Sequence, residues 1–159
     1  MKKLLTVALL TTVLTVNAQK EEYFTASVSI DPTATVKESS PNLVGEIELV
    51  SKWGYVKASS QILPDLEGGY VDLAGAMGFN IYLNRWKTPR IYFGGRLGTI
   101  FRGGSQYPLA GLEAGVDFDI VDNMFIGLRA TRDYREDFSY WGGEAENRYS
   151  GFIRMGFKF

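Results

Sequence analysis

The chain of 159 residues has no cysteine and no histidine, only five prolines, and no uninterrupted apolar run of 18 residues. Each absence removes a class of explanation. Without cysteine there are no disulfides, so stability has to come from packing and hydrogen bonding, and no cysteine is available for lipid attachment. Without histidine or cysteine a Ser–His–acid triad, a Cys–His pair and an HExxH zinc site are all impossible, and neither a metal nor a cofactor is expected. No glycine-rich phosphate loop or G-x-G-x-x-G turn is present either. The lack of a long apolar run excludes a membrane protein that crosses with helices. Charge is nearly balanced, with 17 basic and 18 acidic residues, which offers no electrostatic footprint for nucleic acid.

The N-terminus does carry a short apolar segment. Lys2 and Lys3 precede the run Leu4 to Val16, and Val16-Asn17-Ala18 ends it with compact residues at positions −3 and −1 of a signal-peptidase cut. Thirteen residues are too few to cross a hydrocarbon core of about 30 Å as a helix, so residues 1–18 are expected to be a cleaved export signal and 19–159 a single domain. Removing the two lysines leaves 15 basic against 18 acidic residues, a formal charge of −3.

Beyond this segment the chain alternates. Glycine is frequent (18 residues), 14% of the chain is aromatic, and apolar residues recur with period two between Gly, Pro, Asn and Asp clusters. The pattern predicts eight strands, at 23–31, 43–50, 55–62, 70–83, 91–101, 107–120, 124–132 and 149–159. In 70–83, Val71, Leu73, Met77, Phe79, Ile81 and Leu83 share one face, and Tyr70, Asp72, Ala74, Ala76, Asn80 and Tyr82 share the other. Across all eight strands only Arg132 is charged on the apolar parity, whereas the opposite parity carries Glu46, Glu48, Lys57, Asp72, Arg96, Glu113, Asp117, Asp119, Arg129, Arg154 and Lys158. A slip of one residue would exchange the faces, so register is strongly specified. The connections alternate as well: turns at 51–54, 84–90 and 121–123, and loops at 32–42, 63–69, 102–106 and 133–148, with a long loop at 32–42 and the longest at 133–148.

Parity alone does not say which face is inside. The polar face mixes glycine, alanine and serine with long charged residues, which suits the cramped lumen of an eight-stranded barrel better than a wetted surface. Aromatic residues are expected at two rims, Phe24, Trp53, Trp86, Phe157 and Phe159 at one and Phe101, Tyr107 and Tyr149 at the other, as girdles at a membrane–water interface. These features predict an all-β protein, an eight-stranded antiparallel up-and-down barrel that spans a membrane.

The last strand carries a resemblance. Tyr149, Ile153, Met155, Phe157 and Phe159 lie in phase and end in phenylalanine, which looks like the signal read by the outer-membrane assembly machinery. With eight strands and an export signal, the chain resembles the OmpX and OmpA-transmembrane-domain type of small outer-membrane barrel. The resemblance implies residence in the outer membrane of a Gram-negative-type envelope, with outer-membrane lipid and the assembly machinery as partners. It also implies a barrel filled by side chains, with any binding role left to the loops. Outer-membrane barrel enzymes resemble one another in using a histidine, which this chain lacks, so it is not expected to be an enzyme.

Two groups of residues remain as functional candidates. Glu46, Glu48, Lys57, Asp72, Arg96, Glu113, Arg129 and Arg154 fall on the lumen parity. Carboxylates paired on one face could serve a glycosidase, but arginines on the same face favour an interior charge network, with Glu113 expected between Arg96 and Arg129. Gly111 and Gly115 on this parity are expected to leave room for an arginine. In the loop 133–148, Tyr134, Arg135, Phe138, Tyr140 and Trp141 are of types enriched in contact hot spots and are candidates for an external ligand or surface. The expected function is a non-catalytic membrane scaffold with loops for adhesion or ligand contact. A narrow porin-like channel and a soluble lipocalin-like periplasmic barrel are the alternatives.

Overall fold

A computed structural model of the chain describes residues 22–39, 41–63, 66–83, 89–140 and 146–159; the expected export signal at 1–18, Trp86 and Trp141 lie outside them. Eight strands form: β1 Tyr23–Ile30, β2 Leu43–Val50, β3 Gly54–Leu63, β4 Tyr70–Tyr82, β5 Arg90–Arg102, β6 Ser105–Val121, β7 Met124–Arg135 and β8 Glu146–Lys158. Each pairs antiparallel with its sequence neighbours, and β1 pairs with β8, so the sheet closes into a barrel in chain order. Closure leaves no free edge. The final turn of the seam is tied by Phe159 and Phe24, whose backbone groups exchange hydrogen bonds of 2.8 and 3.2 Å.

The connections fall at two ends, a short-turn end and a long-loop end. The turns after β2, β4 and β6 share one end with both termini, and the connections after β1, β3, β5 and β7 share the other, the two longest, after β1 and β7, among them. The expected loop at 102–106 is instead a two-residue turn, Gly103-Gly104, because β5 and β6 pair as far as Arg102 and Ser105. The connection after β1 was expected to be a plain loop, but it contains a helix, α1 Pro32–Glu38. Its N-cap is Asp31, whose carboxylate accepts a 2.9 Å hydrogen bond from the Ala34 amide, and Pro32 at the first helical position has the φ a helix requires. After β7 the chain turns through a short 3-10 segment, Asp137–Tyr140.

The apolar parity faces outward. Val28, Ile47, Val56, Leu73, Met77, Leu97, Leu128 and Met155 are all more than half exposed, Met77 at 67% and Leu97 at 70%. The opposite parity is buried, down to Arg154 at 0% and Lys57 at 2%. A water-soluble barrel has the reverse arrangement, with its apolar face inside. Phe24, Trp53, Phe157 and Phe159 are exposed at the short-turn end, and Phe101 and Tyr149 toward the long-loop end. Tyr107 is a correction to the expected rim: it is the odd-numbered start of β6 and points into the lumen at 9% exposure. There it packs with Leu63, Tyr70, Ala74, Ile100 and Leu109, an apolar layer lying inside the long-loop end.

Candidate functional site

The lumen is filled with charge that is paired across the barrel. Seven buried acids (Glu46, Glu48, Asp72, Glu113, Asp117, Asp133 and Asp137) and seven buried bases (Lys57, Arg90, Arg96, Arg102, Arg129, Arg135 and Arg154) lie among the described residues, besides Asp31, the buried acid that caps α1. Near the short-turn end Arg154 is the hub. Its guanidinium donates to Glu48 at 2.7 Å and to Asp117 at 3.1 Å, while its Nε lies 2.9 Å from Glu46. Arg90 holds the far oxygen of Glu48 at 2.6 Å and Asp117 at 3.4 Å. At mid-height Arg129 Nη1 meets Glu46 Oε1, with its guanidinium 4.3 Å from the Phe152 ring centre. Lys57 Nζ lies 2.7 Å from Glu113, and the Tyr55 hydroxyl donates to the same oxygen at 2.8 Å. Higher up, Arg96 donates to Asp133 at 3.0 Å and lies 4.0 Å from Asp72, whose other oxygen accepts from the Tyr70 hydroxyl.

The expected position of Glu113 between Arg96 and Arg129 is corrected by the register. Glu113 stands opposite Gly94 on β5 and Thr131 on β7, whereas Arg96 is opposite Gly111 and Arg129 opposite Gly115. Each arginine is therefore two residues away along its strand, and in opposite directions. Diagonal neighbours of this kind are about 7–8 Å apart. In a barrel of eight strands a long side chain reaches well beyond its neighbouring strand, so partners are found on strands two or three away: Glu113 with β3, Arg129 with β2, Arg96 with β7. The glycines of β6 make room for other groups than expected. A Cβ on Gly111 would stand 2.1 Å from the Asp133 carboxylate, and one on Gly115 would stand 2.4 Å from the Tyr92 ring.

All eight expected lumen charges are buried and ion-paired. Arg90, Arg102, Asp133 and Arg135 join them unforeseen, because β5 and β7 run past their expected ends, and Asp137 joins from the 3-10 segment after β7. The lumen parity of β7 continues through Thr131, Asp133 and Arg135, which the charged sequence Asp-Tyr-Arg-Glu-Asp had concealed as loop. No two carboxylates here form a free acid–base pair, since Glu46, Glu48 and Asp117 each bind at least one arginine. Among the described residues no cluster of three or more metal-ligating side chains occurs.

The loop candidates divide. Arg135 is no surface contact: at 5% exposure it turns inward and grips Asp137 through hydrogen bonds of 2.7 and 2.8 Å. Arg102 donates to the same carboxylate at 3.1 Å. Phe138 lies against the guanidinium groups of Arg102, Arg135 and Arg148. Tyr134 and Tyr140 are exposed, at 45% and 69%, and Tyr140 stacks on Tyr107 with ring centres 5.2 Å apart. The 3-10 segment is thus latched over the barrel mouth by one carboxylate between two arginines.

The latch predicts a pH dependence. Burial alone would raise the Asp137 carboxyl, but hydrogen bonds and charge from Arg135 and then Arg102 outweigh it and hold the carboxyl below the ordinary value. A depressed folded pKa gives stabilisation that is present above the unfolded value of about 3.9 and lost as pH falls through the folded one. Protection of the Ser139 amide, which donates to Glu136 at 3.1 Å, is expected to hold from pH 7 to about 5, to begin to fall near the unfolded value of about 3.9 and to be lost as pH drops through the lower, folded one. Hydrogen exchange corrected for intrinsic rates measures this, and Asp137→Asn flattens the dependence. Protection that persists at pH 2 would refute the latch.

No family model and no curated protein matches the chain by sequence, but solved structures match it in shape. A de novo designed transmembrane β-barrel superposes with a TM-score of 0.58 over 89% of this chain and 99% of its own, at 13% identity. The fold is that of a small transmembrane β-barrel. This barrel is also similar to neisserial surface protein A, with a TM-score of 0.51 and 12% identity over 86% of this chain and 95% of that one. The outer membrane protein Ail of Yersinia pestis, determined in a phospholipid bilayer nanodisc, gives 0.50 and 10% identity over 89% and 100%. At such identities the likeness is one of fold, and the outward apolar band of this barrel agrees with it.

Proposed function

We propose that the chain is a non-catalytic outer-membrane protein, a closed barrel anchored in lipid that displays its long-loop end outside the cell. The observation that carries this reading is the lumen. Six buried acids and five buried bases fill its centre, an apolar layer of Tyr70, Ile100, Tyr107 and Leu109 lies above them, and the latch of Asp137 with Arg102 and Arg135 lies above that. Such an interior favours an anchor over a water-filled channel, which needs a continuous polar path. Planar-bilayer recording of the refolded chain is expected to give a quiet baseline. Steady unitary conductance would overturn the anchor reading in favour of a narrow porin-like channel. Recovery of the chain in the soluble periplasmic fraction would favour a lipocalin-like barrel. The exposed Tyr134 and Tyr140 are the described residues best placed for adhesion or ligand contact, in keeping with loops as the carriers of function on rigid scaffolds.

Export through residues 1–18 and delivery to the assembly machinery belong to the same reading. Tyr149, Ile153, Met155, Phe157 and Phe159 all point outward from the last strand, where a receptor in the membrane could read them before closure. Phe159→Lys is expected to lower the amount of assembled barrel in cells far more than it lowers stability in unassisted refolding. Equal losses in the two assays would assign Phe159 to the β1–β8 seam alone.

A further inference from the structure

Arg132 is the one charged side chain on the outward parity of the described strands, and it has no carboxylate partner among the described residues; its guanidinium lies 5.6 Å from the ring centre of Tyr149. It sits three residues before the end of β7, about 10 Å along the strand from the long-loop rim. Directly below it the wall is indented. A groove of about 380 Å³ is lined by the outward side chains Phe93, Leu112, Ala114, Ala130, Arg132 and Tyr149. The indentation comes from register: Ala114 faces Ala130 across β6 and β7, while the bulkier Leu112, Arg132 and Tyr149 stand side by side one step nearer the rim. A cation therefore overhangs a short apolar trough on the face that lipid covers.

An unpaired guanidinium in that position is costly unless it reaches headgroups or an anion. Arginine binds phosphate with two parallel hydrogen bonds, and the trough below matches a hydrocarbon chain in polarity. We infer that this groove holds an anionic glycerophospholipid of the leaflet on the long-loop side, its phosphate on Arg132 and one acyl chain over Ala114 and Ala130. One cation and one short trough match a single phosphate and a single chain, in contrast to a glycolipid with several of each. The inference rests on the membrane reading above.

The test uses the full barrel refolded in phosphatidylcholine vesicles containing a minor fraction of phosphatidylglycerol, gently released into detergent and weighed by native mass spectrometry. Faster migration of the unboiled barrel on a gel reports membrane folding separately, so failure of the anchor reading and failure of the lipid site give different results. Wild type is expected to keep one phosphatidylglycerol in preference to phosphatidylcholine. Arg132→Gln is expected to weaken that retention about tenfold, the scale of one charge-assisted contact, and Arg132→Lys to restore part of it. Ala130→Phe, which fills the trough and leaves the charge, is expected to lose the lipid as well. Equal retention of both lipids, or undiminished retention by Arg132→Gln, overturns the site. A barrel dimer that Ala130→Phe dissociates would mean the groove seats a second copy. Preference for a diphosphoryl glycolipid over phosphatidylglycerol would overturn the choice of ligand.

Discussion

Glu46→Ala is expected to destabilise the barrel by about 3–5 kcal/mol, the cost of stranding a buried charge whose partner is removed. Glu46 lies on β2 at 4% exposure, and both of its oxygens are used. One meets Arg129, and the other lies 2.9 Å from Arg154 and accepts from the Ser27 hydroxyl at 3.1 Å. Arg154 keeps Glu48 and Asp117 when Glu46 is lost, but among the described residues Arg129 keeps no ion pair within 4 Å, only the face of Phe152 and the more distant charge of Asp133. The loss therefore falls mainly on Arg129, and Arg129→Met in the same chain is expected to recover much of the stability by removing the stranded cation. Urea-induced unfolding in lipid vesicles measures both. Strict additivity of the two changes, or a Glu46→Ala cost below about 1 kcal/mol, would mean that water reaches and screens this part of the lumen.

Leu97→Arg is expected to cost about 2–4 kcal/mol, the penalty for a cation on the lipid face near the membrane midplane. Leu97 stands midway along β5 at 70% exposure, opposite Gly75 on β4 and Ala110 on β6, with no acid on the outward face nearby. Exposure is the point of the contrast. On a water-covered surface an exposed Leu→Arg change is nearly silent, usually within about 0.5 kcal/mol, so the same residue distinguishes lipid from water outside the barrel. Leu97→Met, which keeps the side chain apolar and similar in volume, is the control and is expected to be close to neutral. A silent Leu97→Arg in vesicle refolding would mean that the apolar band is not covered by lipid.

Much of the architecture was legible because period-two patterning acts locally and repeatedly. Val71 to Leu83 and Tyr149 to Phe159 each name their outward face residue by residue, and all eight strands form where alternation placed them, give or take the ends. The ends failed where charge imitated loop. Asp133 and Arg135 read as solvated residues, yet both keep the lumen parity set by Arg129 and Thr131, and following that parity would have found them. Tyr107 was misplaced for the same reason: its ring type suggested a rim, while its odd number in β6 assigned it to the interior. α1 was missed although Asp31-Pro32 is a helix-start pair. The partners inside the lumen were not legible at all. They depend on how far each strand is staggered when the sheet closes, and stagger brought Lys57 rather than Arg96 to Glu113. Arg132, the single break in the outward pattern, was visible from the start, but the groove beneath it depends on which residues of β6 and β7 stand side by side.

The most direct test of the central claim, an apolar wall in lipid around a charged and closed interior, is a nitroxide scan of β4. The chain has no native cysteine, so single cysteines at each position from Val71 to Ile81 can be labelled without competition. Oxygen partitions into lipid and a charged nickel chelate stays in water. In bilayers, collision with oxygen is expected to peak at Val71, Leu73, Gly75, Met77, Phe79 and Ile81 and to fall at Asp72, Ala74, Ala76 and Asn80, with the nickel chelate nearly excluded from both sets near mid-strand. Strong nickel access at Met77 would put that face in water, and strong nickel access at Ala76 would open the lumen; either result contradicts the account.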